Sequence, residues 1–182
     1  MSVPDVKSEL VEHLPAMRAF ARSLARDASA ADDLVQDTIV KAWSNLDKFK
    51  PGTNLKAWLF TILRNTFYSN IRKKKWEVED VDDEMAGQMS VKPEHDGRLA
   101  MEEFKHAFVR LPDDQREALI LVGASGFSYE EAALMCDCAI GTIKSRVNRG
   151  RKRLTELLGL DDDEDLSLTD KGTLAALTEP SI

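Results

Sequence analysis

Apolar residues recur at three- and four-residue intervals along most of the chain, and strand-like alternation is nearly absent, which predicts an all-α protein. Leu10, Leu14, Met17, Phe20, Ala21 and Leu24 mark a first helix from about Ser8 to Arg26. Pro15 falls inside this pattern, so a kink or a later start is expected there. Leu34, Val35, Thr38, Ile39, Ala42, Trp43 and Leu46 form the stripe of a second helix, opened by Ser29 as N-cap with Asp32 three residues on and Asp33 in the first turn. Pro51-Gly52 is a turn pair. Beyond it, a third helix from about Leu55 to Lys75 offers Leu55, Leu59, Ile62, Leu63, Thr66 and Phe67 to a core.

Between residues 76 and 98 the period disappears into an acidic stretch with Gly and Pro, the composition of a linker. Helical spacing returns near Leu99. "PDDQREALILVGASG" predicts a helix that starts at Pro112 and ends at glycines. "SYEEAALMC" carries the cap pair Ser128 and Glu131. "IGTIKSRVNRGRKRL" follows after a short turn, and residues 161–182 form an acidic tail with room for a short helix around Thr173–Leu177. The pattern therefore divides the chain into two small helical domains, 1–75 and 99–160, joined by the 76–98 linker and followed by the tail.

Charge sharpens this division. The 182 residues carry a formal net charge of −7, unevenly spread. Residues 1–75 hold 13 basic and 8 acidic groups, and residues 99–160 hold 9 of each. The linker and the tail each carry a net −6. Six cations nevertheless crowd into residues 144–153 with no acid among them.

Wound at 100° per residue, Ile140, Ile143, Val147, Gly150, Leu154, Leu157 and Leu158 form one apolar stripe. Gly150 lies in it, where a missing side chain admits another helix closely, and the helix just upstream is the expected neighbour. Thr142, Lys144, Ser145, Arg146, Asn148, Arg149, Lys152 and Arg153 occupy the other side. A helix capped by Ser128, with Ala132 and Ala133 for close packing, then a short turn and this basic helix, is the helix-turn-helix pattern. Arg and Lys pair with guanine in the major groove, Asn with adenine, and Ser or Thr with bases or phosphates. A solvated basic face or an acidic protein partner is the plainer explanation of the same charges.

Other chemistry finds no site. Cys136 and Cys138 are separated by one residue, too close for an unstrained disulfide, and no further Cys completes a thiolate zinc site. His13, His95 and His106 are scattered, and no Gly-rich phosphate loop is present. The expectation is no enzyme, no metal, no cofactor and no small-molecule substrate. The N-terminus lacks a signal-peptide pattern, and no apolar run approaches the ~20 residues of a membrane span. A cytoplasmic protein with reduced thiols and no membrane insertion is expected.

The order of motifs resembles the extracytoplasmic-function sigma factors of bacterial RNA polymerase across nearly all of residues 8–158. "DDLVQDTIVKAW" resembles the region-2 helix that docks on core polymerase, "LKAWLFTILRNTFYSNIRKKK" the helix that meets the promoter −10 element, and "GFSYEEAALMCDCAIGTIKSRVNRGRKRL" the region-4 helix-turn-helix that reads the −35 element. "GASGFSYEEAA" and "GTIKSRVNRGRKRL" are most similar to the general-stress-response group of alphaproteobacteria. Two departures stand out: Asp137 where Gly is common in the turn, and Ala139 where Pro is frequent. Asp tolerates the left-handed conformation that such a turn requires.

The resemblance assigns roles to three faces. Asp33, Gln36, Asp37, Val40 and Lys41 are the expected contacts to core RNA polymerase. Thr61, Arg64, Asn65, Tyr68 and Arg72 share a face suited to strand-separated −10 DNA, with Tyr68 between two arginines. Phe49, Lys50 and Asn54 fall in the loop that captures an unstacked −10 base; Phe49 is alternatively a core residue, and Trp43, Trp58 and Phe67 are the stronger core candidates. The basic helix at 140–158 is the expected −35 reader. The resemblance further implies a small helical anti-sigma factor, itself sequestered by a response regulator with a sigma-like domain. Solubility and flexible spacing are the plainer explanation of the acidic segments; alternatively the linker mimics RNA charge and the tail screens residues 144–153. Two rival functions remain: a sigma-like adaptor that sequesters an anti-sigma factor, and an autonomous helix-turn-helix repressor.

Overall fold

The computed structural model describes residues 3–25, 27–77 and 96–160, and the chain divides into two units, Met1–Gly87 and Gln88–Ile182. The tail, with the short helix expected around Thr173–Leu177, and most of the linker lie outside the described residues. Among the described residues every regular element is helical.

Unit one packs α1 (Val3–Ala25), α2 (Ala28–Ser44) and α3 (Leu55–Glu77) against one another, with a single 3₁₀ turn at Leu46–Lys48. Its core is built from Met17, Phe20, Ala21 and Leu24 of α1, Leu34, Val35 and Ala42 of α2, and Leu55, Leu59, Phe60 and Leu63 of α3. Phe20 and Phe60 stack with ring centroids 5.0 Å apart. A buried aromatic of this kind contributes about 1.5–3 kcal/mol through the water it no longer orders.

Several local expectations change. α1 starts five residues earlier than its apolar stripe suggested and runs through Pro15, which is exposed. α2 is capped by Asp27, not Ser29: the Asp27 carboxylate accepts the Ala30 N–H at 2.8 Å. Starting earlier adds helical backbone hydrogen bonds and seats Ala31 in the core. Trp43 was expected inside but is 54 % exposed, because the inward arc of α2 closes at Ala42, one residue and 100° away. Trp58 and Phe67 are half-buried.

Unit two contains α4 (Asp96–Val109), α5 (Asp113–Leu119), a wide π turn at Ile120–Ala124, α6 (Tyr129–Cys136) and α7 (Ile140–Leu158). Phe104, Phe108, Leu119, Leu121, Met135, Ile143, Val147 and Leu154 are among its buried residues. Arg116 is buried as well, and its guanidinium donates to the Leu111 carbonyl at 3.2 Å and to Asp113 at 2.8 Å. Its charge is thereby matched by the Asp113 carboxylate and shared with a carbonyl left bare just beyond the C-terminal end of α4.

Candidate nucleic-acid interfaces

In unit two, the sequence fixes both ends of α6, the helix that leads into the basic one. Ser128 accepts the Glu131 N–H at 3.1 Å, and the Glu131 carboxylate accepts the Ser128 N–H at 2.9 Å, closing a reciprocal capping box at the start of α6. At the other end Asp137 takes φ 50° and ψ 53°, the left-handed conformation, while the Cys138 N–H reaches back to the Ala133 carbonyl at 3.1 Å. Asp137 thus does what Gly does in comparable turns. α7 then starts at Ile140 with Ala139 extended before it.

α7 turns Ile143, Val147, Gly150 and Leu154 inward. A Cβ on Gly150 would stand 2.9 Å from Leu119 Cδ1 and 3.3 Å from Gln115 Cβ. The close approach expected at Gly150 is present, but the approaching helix is α5, not α6. Which non-neighbouring helix arrives is settled by the whole fold, so local spacing pointed to the nearer one.

Lys144, Asn148, Arg149, Lys152 and Arg153 are exposed on the opposite side of α7, and Thr142 and Ser145 are half-buried at its edge. Arg149 folds back along the helix, its Nε donating to the Ser145 carbonyl at 3.2 Å and Nη2 to Ser145 Oγ at 3.1 Å. Ser145 Oγ in turn donates to the Thr142 carbonyl at 2.9 Å. Lys144 Nζ lies 5.8 Å from the centre of the Tyr129 ring. Arg146 differs from the expected free reader: it is half-buried and its Nε pairs with Asp114 at 3.1 Å. It sits one four-residue step from Gly150, about 40° round the helix, and so faces the α5 side. Arg110, which sequence reasoning passed over, lines one shallow concavity with Arg149, Lys152 and Arg153. No local signal joins Arg110 to α7, since the two meet only through the tertiary fold.

In unit one, the face of α2 away from the core carries Asp33, Gln36, Asp37, Val40 and Lys41, all exposed, with Val40 at 63 %. Trp43 adds an exposed aromatic to that helix. Lys41 also ties α2 to α3, its Nζ donating to Thr66 Oγ1 at 3.1 Å. On α3 the Arg64 guanidinium lies 4.7 Å from the Tyr68 ring centroid, a cation–aromatic pair; Asn65 and Arg72 are exposed beside it. Thr61 is half-buried, with its hydroxyl donating to the Ala57 carbonyl at 2.8 Å.

Before α3, Lys50 and Asn54 are exposed, and Asn54 caps the helix by accepting the Ala57 N–H at 3.1 Å. Phe49 requires a correction. It is only 6 % exposed and packs against Trp58 with centroids 5.3 Å apart, so it supports the loop from below and does not offer its ring to a base. Among the described residues no group of three or more His, Cys, Asp or Glu could hold a metal, and no helix is long and apolar enough to cross a membrane.

Comparison with known proteins matches residues 10–77 to Sigma-70 region 2 and residues 101–154 to Sigma-70 region 4. The chain is 54 % identical over 165 residues to the ECF RNA polymerase sigma factor EcfG of Rhodopseudomonas palustris (strain TIE-1), covering 91 % of each chain. Among solved structures it is similar to the sigma factor RpoE in complex with the anti-sigma factor NepR from Bartonella quintana. That match has 57 % identity and a TM-score of 0.78, covering 87 % of this chain and 99 % of that one. It is also similar to CnrH in complex with the cytosolic domain of CnrY, at 27 % identity and a TM-score of 0.62 over 87 % of this chain and 90 % of that one. Two basic helical faces in the order region 2 then region 4, and a relative matched over nine-tenths of both chains, lead to one conclusion: the chain belongs to the extracytoplasmic-function sigma factors of RNA polymerase.

Proposed function

We propose that this sigma factor divides the promoter between its two units and docks on core polymerase through α2. The supporting observation is that each unit buries one side of its basic helix in its own core and leaves most of its cations outward. In unit two, Lys144, Asn148 and Arg149 read the −35 element in the major groove, and Lys152, Arg153 and Arg110 hold phosphates. In unit one, Arg64, Asn65, Tyr68 and Arg72 engage strand-separated −10 DNA, with Lys50 and Asn54 at the loop that precedes α3. Asp33, Gln36 and Asp37, around exposed Val40, offer an acidic surface with an apolar centre to a basic helix of the polymerase.

Regulation follows the same reading. The relative crystallised with NepR is 57 % identical, which favours a small anti-sigma factor of that kind as the controlling partner here. Release of the chain then depends on a response regulator whose sigma-like domain takes up the anti-sigma factor, and the genes served are those of a general stress response.

Reconstitution with core polymerase and transcription from a promoter library tests this. Specific transcripts are expected, and Asp37→Lys should weaken core binding by at least about tenfold while leaving the fold intact. A chain that binds duplex DNA but starts no transcript is a repressor. One that binds only the anti-sigma factor is an adaptor.

A further inference from the structure

Trp76 is the most exposed large aromatic of unit one, 80 % accessible near the end of α3. A tryptophan left in water on an ordered helix is informative when its neighbours also point to a ligand. Here Ser69, Arg72, Lys73 and Trp76 line one shallow concavity. Between Leu55 and Trp76 the sequence carries six cations and no acid. Ile71, on the same last turns, is exposed too.

The spacing extends a pattern already present one step earlier. Arg64, Tyr68, Arg72 and Trp76 follow one another at four-residue intervals, alternating cation and aromatic ring. On a helix each such step advances about 6 Å and turns about 40°, so the four residues form one gently winding ridge. The first pair is in contact, with Arg64 4.7 Å from the Tyr68 centroid. Tyr68 and Trp76 are separated by about 12 Å of helix, which corresponds to three or four base steps at about 3.4 Å each.

The geometry points to Trp76, with Arg72 and Lys73, as a second stacking site for single-stranded promoter DNA, three to four nucleotides along the strand from the base held at Tyr68. The inference rests on the −10 reading of unit one and adds a site to it. The indole supplies a sequence-tolerant stacking surface, and Arg72 and Lys73 hold the phosphates on either side. Arg72 stands between both rings and serves the two sites in common. Because every base has a π-face, this site lengthens the footprint on the open strand without adding sequence preference.

The test uses the full chain in holoenzyme with core polymerase and fluorescent single strands. One strand spans only the −10 element; two others carry four further nucleotides at the 5′ or the 3′ end. For the wild-type chain, extension at one of the two ends should tighten binding about tenfold. Trp76→Ala should abolish that gain while leaving affinity for the short strand unchanged, and Trp76→Phe should keep most of it. The inference is overturned if Trp76→Ala retains the gain. It is equally overturned if the substitution weakens core binding or lowers short- and long-strand affinity alike, since a protein contact then explains the residue. A gain seen with an RNA extension and absent with DNA also overturns it. Failure of the wild-type holoenzyme to bind the short strand is a different result: it removes the −10 reading itself, and the second site with it.

Discussion

In unit one the side chains proposed for the −10 strand, Lys50 and Asn54 apart, stand along α3, with Arg64 resting on the face of Tyr68. Nothing in that arrangement demands one exact helix orientation, because a flexible single strand can adapt to the ridge. In unit two the proposed reading helix, α7, is held from behind by Leu119 and Gln115 against Gly150, and the turn that leads into it is set by the left-handed Asp137. Its cations are restrained as well, Arg149 by Ser145 and Arg146 by Asp114. Under the proposed division of the promoter, the difference matches two kinds of target. A duplex groove is rigid and must be met by a helix at a set angle. An opened strand is met by stacking surfaces and charge, and the protein need fix only their spacing.

Breaking the core of one unit is the harshest test of this contrast. Phe60→Ala removes a fully buried ring stacked on Phe20 and should destabilise unit one by about 3–5 kcal/mol. Binding of −35 duplex by the same chain should survive; simultaneous loss of both activities would show that the two cores are not independent. Gly150→Ala should cost unit two up to about 2 kcal/mol net, because overpacking against Gln115 and buried Leu119 outweighs the roughly 1 kcal/mol that Ala gains over Gly in a helix. Urea unfolding followed in unit two, with −10 strand binding as control, reads this directly. If the variant keeps full stability, α5 and α7 are less tightly matched than the contact distances imply. The smallest effect belongs to Asp137→Gly, a gain of under about 1 kcal/mol from relief of the left-handed backbone. A loss in its place would mean that the carboxylate, and not the backbone angle alone, supports the turn.

What the sequence disclosed follows the range of each interaction. The Ser128–Glu131 box is an i, i+3 exchange and was legible from neighbours alone, whereas the left-handed turn at Asp137 was legible through the family resemblance, which has Gly there. The helical architecture was legible because apolar residues repeat with the helical period along the long helices, and the two-unit division because that period breaks off in the acidic stretch between the units. Long-range facts were not. Periodicity marked Gly150 as a contact point but misassigned the partner, because α5 lies more than 30 residues upstream. Trp43 was placed inside on residue type, although the arc of α2 ends one residue before it. Phe49 had two readings, and only the position of Trp58 decided between them. Arg110 and Trp76 escaped for a related reason: one is remote in sequence from the helix it joins, and the other stands where the acidic run begins.

The Arg146–Asp114 pair has a consequence for how this protein responds to salt. Most cations that meet DNA displace small ions condensed on the phosphates, and that release makes affinity fall steeply as salt rises. Arg146 already holds an anion that is covalently part of the chain and cannot diffuse away. If a phosphate takes Arg146, the Asp114 carboxylate is left beside the negatively charged backbone and must recruit a cation of its own. The ion gained there would offset the ion lost from the DNA, so a phosphate contact by Arg146 would add positional register to the proposed complex while contributing little to its sensitivity to ionic strength.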